Sequence, residues 1–166
     1  MKKVLIYLFA IIGLFTIVGC GSSKINKTSS NDKKRTYESL LDNFIDGYTK
    51  PDIEIVKKIF PPYYMEYAKN SLTQDYLEAG LLDDKEYFGD DFNITYEIEG
   101  NEKLSESDLK KMNDDITALF DTKEEASECK KYSGNIIYKG SKTEESVSLS
   151  SFLYCKYEND WYIVRH

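Results

Sequence analysis

The sequence predicts an α+β fold in which helices precede a mostly antiparallel sheet. Near the start, apolar residues recur with the spacing of one buried helix face, and they are Leu40, Leu41, Phe44, Ile45 and Tyr48. Further along, apolar and polar residues alternate from Phe92 to Glu99, which is typical of a half-buried strand. The later elements are strand-like, without the helix–strand alternation of a parallel sheet. The 166 residues suit a single folded domain, predicted over 35–166.

Further helices are predicted before the sheet. Asp52 stands at an N-cap position, and the Pro61-Pro62 pair ends the second helix. Residues 63–82 continue the helical spacing, and Ser71 with Gln74 matches a capping box. The acidic segment that follows, 83–91, is expected to be a loop whose charges face solvent.

One more helix is predicted between the first strand and the others. Residues 105–108 match a capping box, and Leu104 with Leu109 forms a hydrophobic staple around it. The remaining strands are predicted at 132–138, 147–157 and 160–165, with a turn at 139–143. This order places the N-terminal helices on one side of a sheet made from the C-terminal half.

The first twenty residues have the order of a bacterial lipoprotein signal. Lys2 and Lys3 provide a positive start, and an uncharged apolar run extends from Val4 to Val18. The run ends in Ile-Val-Gly-Cys, which resembles the lipobox: the small residue admits the peptidase, and the Cys20 thiol accepts the diacylglyceryl group. The resemblance implies that 1–19 is a cleaved signal peptide and that Cys20 is lipidated. The alternative is an uncleaved N-terminal anchor with an incidental thiol.

Residues 20–34 are predicted to be a lipidated, flexible tether. Beyond Cys20, serine, asparagine and lysine dominate, and one isoleucine cannot offset the entropy of ordering the segment. Two fatty acyl chains suffice for stable anchoring, palmitate among them. We therefore expect a domain held on the outer, extracytoplasmic face of the cell membrane. The excess of lysine over arginine is typical of a Gram-positive source.

The charge excludes one class of partner. The chain has 22 basic and 29 acidic residues, a net charge of −7, and loss of Lys2 and Lys3 with the signal makes it −9. Such a surface repels phosphate backbones, and the basic residues form no long run. Nucleic acid is therefore not expected as a partner.

Three features of residues 36–166 together indicate a family. They are the amphipathic first helix, the second helix between Asp52 and the prolines, and the terminal hairpin that ends in Asp-Trp-Tyr-Ile-Val. These resemble the cystatin-like domains of the nuclear-transport-factor-2-like superfamily. The resemblance implies helices packed on a curved sheet, whose concave face encloses a pocket or forms a dimer surface. We expect Trp161 to be largely buried against the first helix, through Leu41, Phe44 or Ile45.

Residues for catalysis or metal binding are sparse. His166 is the only histidine, and a Ser-His-Asp or Cys-His arrangement would have to use this terminal residue. The glycines form no phosphate cradle, and segment 83–91 lacks the EF-hand spacing, so neither cofactor nor metal is expected. A superfamily enzyme would need an inward carboxylate, for which Asp46 and Glu97 are the nearest candidates, although both are expected to face solvent.

The fourteen tyrosines are densest at Tyr63, Tyr64 and Tyr67. Exposed rings would offer flat apolar faces with polar tips, on which sugars or aromatic groups could stack. The alternative, which we favour, is that these rings fill the core between helices and sheet.

After acylation of Cys20 two cysteines remain, and we predict a disulfide between Cys129 and Cys155. The two lie equally far from residue 142, the centre of the predicted turn, so they fall opposite each other on antiparallel strands. In that register the apolar residues of the two strands fall on different faces, and a bulge near Gly134 would reconcile them. The alternative is a pair of buried free thiols.

These observations predict a membrane-anchored extracytoplasmic lipoprotein that acts as a non-enzymatic binding or interaction module of the cell envelope. Its expected partners are the membrane, through the lipid anchor, and an envelope protein or a second copy of the chain. The alternative is a pocket enzyme of the same superfamily, of isomerase or hydrolase type.

Overall fold

Helices come first and strands later in residues 35–165, the part of the chain that a computed structural model describes. The signal segment 1–19, the tether 20–34 with its lipidation site Cys20, and His166 lie outside the described residues. The helices are α1 Tyr37–Thr49, α2 Ile53–Lys57, α3 Pro62–Ala68, α4 Gln74–Phe88 and α5 Glu106–Phe120. The strands are β1 Asn93–Lys103, β2 Glu128–Lys139, β3 Glu144–Ser148, β4 Phe152–Tyr157 and β5 Asp160–Arg165.

All strand pairs of the sheet are antiparallel. The order is β1-β2-β4-β5, and β3 pairs with the end of β2 that β4 leaves free. The sheet is open, with β1 and β5 at its two edges, and α5 is inserted between β1 and β2 in the chain. The α+β class predicted from the sequence is confirmed.

The helix starts follow the capping residues, with one exception. The Asp52 carboxylate accepts hydrogen bonds from the first backbone N–H groups of α2, and the Ser105 hydroxyl accepts from Asp108 N in α5. The capping box expected at Ser71 is wrong, because Thr73 caps α4 instead. The Gln74 side chain is occupied elsewhere, donating to the Pro51 carbonyl and accepting from Ile53 N.

The acidic segment 83–91 is mostly helix, which corrects the expected loop. Helix α4 continues to Phe88, and only the residues after it connect to β1. Leu77, Leu81, Asp84 and Phe88 recur at helical spacing and are all buried. Asp84 therefore occupies a core position within an otherwise exposed acidic run.

The sheet carries an apolar layer on each face, which we call the main face and the small face. The main face is covered by α1, α2 and α4, and its buried strand residues include Ile94, Ile136, Tyr138, Tyr154 and Ile163. The small face is covered by α3 and α5, and its buried strand residues are Cys129, Leu153, Cys155, Tyr157 and Val164. Because β4 alternates between the two layers, nearly all of its residues are buried.

A short 3₁₀ turn, Leu149–Ser151, reverses the faces within the second half of the predicted 147–157 strand. Before the turn Val147 lies opposite Ile136, on the main face, and after it Leu153 lies on the small face. The bulge expected near Gly134 is in β1, between Ile98 and Gly100, directly opposite Gly134. Strand β2 itself alternates regularly, so the turn resolves the conflict of faces.

Trp161 is half-buried, which is less than expected. Its ring stacks on Tyr154 at 4.2 Å between centroids, and the Lys130 ammonium lies 5.5 Å above it. It packs against the edge of the main-face layer and leaves its outer side to the lysine and solvent.

Candidate functional site

The carboxylates singled out from the sequence lie outside the core. Asp46 is exposed on α1, with its carboxylate 3.7 Å from the Lys50 ammonium. Glu97 is half-buried on β1 and points away from the main face, in register with Asn135. The structure does not bring Asp46 and Glu97 together, and neither enters an apolar interior.

Asp84 is the buried carboxylate that the sequence reasoning missed. Its side chain is 3% exposed, and the Tyr48 hydroxyl of α1 donates a hydrogen bond of 2.5 Å to Asp84 Oδ2. Gly80, one helical turn before Asp84, leaves room for this hydroxyl, since an added Cβ would lie 3.1 Å from the Tyr48 oxygen. The pair therefore joins α1 to α4 beneath the main face.

Burial raises the pKa of Asp84 to about 7, against an ordinary value of 3.8. The hydrogen bond from Tyr48 lowers that pKa, whereas the nearby charges of Asp83 and Glu145 raise it. The pKa of Tyr48 is raised far above its usual range, first by burial and then by Asp84. Near neutral pH, Asp84 therefore exchanges a proton while Tyr48 remains a neutral donor.

The signal that could have found Asp84 was in the sequence. Leu77, Gly80, Leu81, Asp84 and Phe88 keep one helical period through the acidic run. Composition argued for a loop, because adjacent acidic residues are usually solvated. The spacing gave the better prediction, but only the pairing with Tyr48 explains why a carboxylate is tolerated there.

An exposed apolar surface lies on the other side of the molecule, where α3 meets α5. We call it the aromatic patch, and it consists of Tyr64, Tyr67, Leu119 and Phe120. Tyr67 is 64% and Leu119 69% exposed. The Phe120 ring is contacted edge-on by Tyr67 at 5.1 Å and by Tyr64 at 6.0 Å. The aromatic cluster predicted to fill the core thus does so only in part.

Tyr63 shows where the core-filling interpretation holds. Its ring is buried in the small-face layer, and its hydroxyl lies 3.1 Å from the Tyr157 hydroxyl. Successive turns of α3 therefore divide the tyrosines, with Tyr63 anchoring the helix and Tyr67 facing outward. Such a mixture of buried anchor and exposed ring is typical of interaction surfaces.

Beneath the patch, Cys129 and Cys155 lie directly opposite each other on β2 and β4. Their sulfurs are 1.97 Å apart and their Cα atoms 4.1 Å apart, so a disulfide joins the two strands. Both cysteines are buried, and the Met112 sulfur of α5 lies 3.6 Å and 3.8 Å from their sulfurs. The bond underlies the helix that carries Leu119 and Phe120.

No family model, curated protein or solved structure matches this chain. Within residues 35–165, no helix is both long and apolar enough to cross a membrane. The same residues do not gather three or more histidine, cysteine or acidic side chains in an arrangement that would hold a metal ion. Two features thus remain for a functional argument, the Asp84–Tyr48 pair and the aromatic patch.

Proposed function

We propose that this chain is a membrane-anchored extracytoplasmic lipoprotein whose folded domain is a non-enzymatic interaction module of the cell envelope. The observation that carries the proposal is the aromatic patch. Tyr67 and Leu119 stand side by side with most of their surface in solvent, above a well-packed layer. Clustered exposed apolar side chains of this kind mark contact surfaces in folded proteins.

The anchor follows from the order of charge, apolar run and lipobox in residues 1–20. A thioether-linked diacylglyceryl group on Cys20 would hold the domain at the outer face of the membrane, with the tether between them. Labelling cells with radioactive palmitate tests this step, and Cys20→Ala should abolish incorporation. Protease added to wall-stripped cells should remove the domain, and full protection would contradict the outer location.

We further propose a cystatin-like architecture for the domain. Helix α1 packs on an open antiparallel sheet and a terminal hairpin closes the chain, which supports the resemblance. Helix α5, inserted between β1 and β2, is more elaborate than the commonest form of that fold. An experimental structure with the same strand order in a superfamily member would support the assignment.

The surface role is tested with a photo-crosslinking residue at position 67 of the full lipidated chain in living cells. A matched control carries the same residue at position 87, since Tyr87 is 54% exposed on α4. We expect adducts at position 67 and far fewer at position 87. Equal labelling at both positions would show that the patch is ordinary surface and would remove the main support for the proposal.

A second candidate function is a pocket enzyme that uses Asp84. The specific observation in its favour is a buried carboxyl with its pKa raised to about 7, next to a hydroxyl donor. Against it, Asp84 is 3% exposed and already bonded to Tyr48, which suits a structural pair. A substrate-dependent activity that Asp84→Asn abolishes without unfolding the protein would favour the enzyme.

A further inference from the structure

The entry of the chain into the domain is fixed by several contacts of Arg35, the first described residue. Its guanidinium lies 4.4 Å over the Tyr162 ring and 3.9 Å from the Asp160 carboxylate. The same side chain donates to the Lys58 carbonyl oxygen, while the Tyr154 hydroxyl donates to the Arg35 carbonyl oxygen. The tether therefore leaves the domain from one defined place, beside β5.

That place is connected to the aromatic patch by ring contacts. Successive ring centroids lie 5.1–6.2 Å apart along Tyr162, Tyr157, Tyr63, Phe120 and Tyr67. Residues 21–34 separate Cys20 from Arg35, and fourteen extended residues reach at most about 50 Å. The short path from Arg35 to Tyr67 lies well within this reach, so a lipid on Cys20 leaves the patch free to touch the bilayer.

The chemistry of the patch suits the boundary between lipid headgroups and acyl chains. Tyrosine has an apolar ring and a polar tip, which is why it is enriched where one end of a side chain is wet. Leu119 and Phe120 add uncharged apolar surface beside Tyr67. Helices α3 and α5 present these side chains from neighbouring positions, so they can enter an interface together.

Charge decides which kind of lipid contact fits. Residues 35–166 contain 16 basic and 28 acidic residues, since residues 1–34 hold six lysines and one aspartate. A net charge of −12 repels anionic headgroups, which excludes docking of the polybasic kind. Apolar insertion needs no such charge, and salt should strengthen it on anionic membranes by screening the repulsion.

We propose that the aromatic patch seats the domain on the lipid surface of the membrane that carries its anchor. This rests on the proposed function, because the lipid on Cys20 holds the domain near that surface. A short flexible linker gives an effective concentration of about millimolar, so an intrinsically weak contact is populated. The seated domain presents a fixed orientation, with the main-face helices turned away from the patch.

The test uses the full lipidated chain in phosphatidylcholine vesicles, with or without lipids brominated in their acyl chains. Tyr67→Trp carries the reporter, and Tyr87→Trp is the matched control, since the wild type has the single Trp161. At a tethered concentration near the dissociation constant, bromolipids should remove about half of the emission added at position 67. The emission added at position 87 should be unchanged.

Each outcome separates the inference from the proposed function. Equal quenching at positions 67 and 87, or none at either, overturns docking on lipid. Quenching that appears only with phosphatidylglycerol at low salt overturns insertion of an uncharged patch. If position 67 crosslinks to a protein in cells but is not quenched in vesicles, the interaction module stands and its partner is that protein. Without adducts or quenching at position 67, both proposals fail.

Discussion

The two faces of the sheet bury their apolar surface in different ways. Among the described residues, the main-face layer contains 19 buried side chains and the small-face layer contains nine. Three helices cover the main face, and its deepest polar groups include the Asp84–Tyr48 pair. Two helices cover the small face, where a disulfide joins the strands and Tyr67 and Leu119 stay in solvent.

The difference shows how layer size governs what a face can do. The main face closes around its polar pair, so its chemistry is internal and sensitive to protonation. The small face has too little apolar surface to bury its helices completely, and the covalent link offsets that shortage. What it leaves exposed is then available for contact. Stability and interaction are thus assigned to opposite faces.

The largest expected effect concerns Asp84, on the main face. Its folded pKa of about 7 exceeds the ordinary 3.8, so the folded state holds more protons between these values. Stability from this group is therefore full below pH 3.8 and is lost as the pH rises through about 7. The change corresponds to roughly 4 kcal/mol at most. Chemical denaturation across this pH range measures it.

Two variants isolate the Asp84 contribution. Asp84→Asn keeps an oxygen for the Tyr48 hydroxyl but cannot ionise, so its stability should not fall over this range through this group. Asp83→Asn, at the exposed neighbouring position, should keep the wild-type pH dependence. If Asp84→Asn and the wild type show the same pH profile, Asp84 does not titrate as inferred.

The second effect concerns the disulfide of the small face. Replacing Cys129 and Cys155 with alanine should lower the free energy of unfolding by about 3.5 kcal/mol, given 26 residues of separation. Met112→Leu, which keeps the packing against the bond, should cost less than about 1.5 kcal/mol. Two free thiols titrated in denatured protein purified without reductant would contradict the bond.

The third effect compares a buried hydroxyl with an exposed one. Tyr48→Phe removes the donor to Asp84 and should cost about 1–3 kcal/mol, because the carboxyl loses its partner in the core. Tyr96→Phe removes a similar bond, 3.1 Å from Tyr96 to the exposed Asp42, and should cost about 0.5 kcal/mol or less. Equal losses in thermal unfolding would mean that burial does not distinguish the two bonds.

Local signals in the sequence predicted much of the fold. Asp52 and Ser105 cap their helices as expected, because a cap depends only on the adjacent turn. The equal spacing of Cys129 and Cys155 about the turn also gave their register, although the hairpin itself pairs Lys139 with Glu144 and is centred between residues 141 and 142. The 3₁₀ turn absorbs the difference.

Features that depend on distant residues were not predictable in this way. The burial of Asp84 requires Tyr48, which lies 36 residues earlier and offers no local signal. The placement of α5 on the small face depends on β4 being apolar on both sides, which a single strand pattern does not assign to particular helices. The aromatic patch was visible only as a cluster of tyrosines, because exposure is decided by what packs beside each ring.

The smallest expected effect on stability falls on the patch itself. Tyr67→Ser combined with Leu119→Ser should cost about 1 kcal/mol or less, since both side chains are mostly exposed and only the edge contact with Phe120 is lost. The matched pair Leu82→Ser and Tyr87→Ser removes exposed apolar side chains from α4 and should be equally mild. Crosslinking through a photoreactive residue at position 64 should fall only in the patch variant. A large stability loss in that variant would make the patch part of the small-face core, and the division of roles between the two faces would fail.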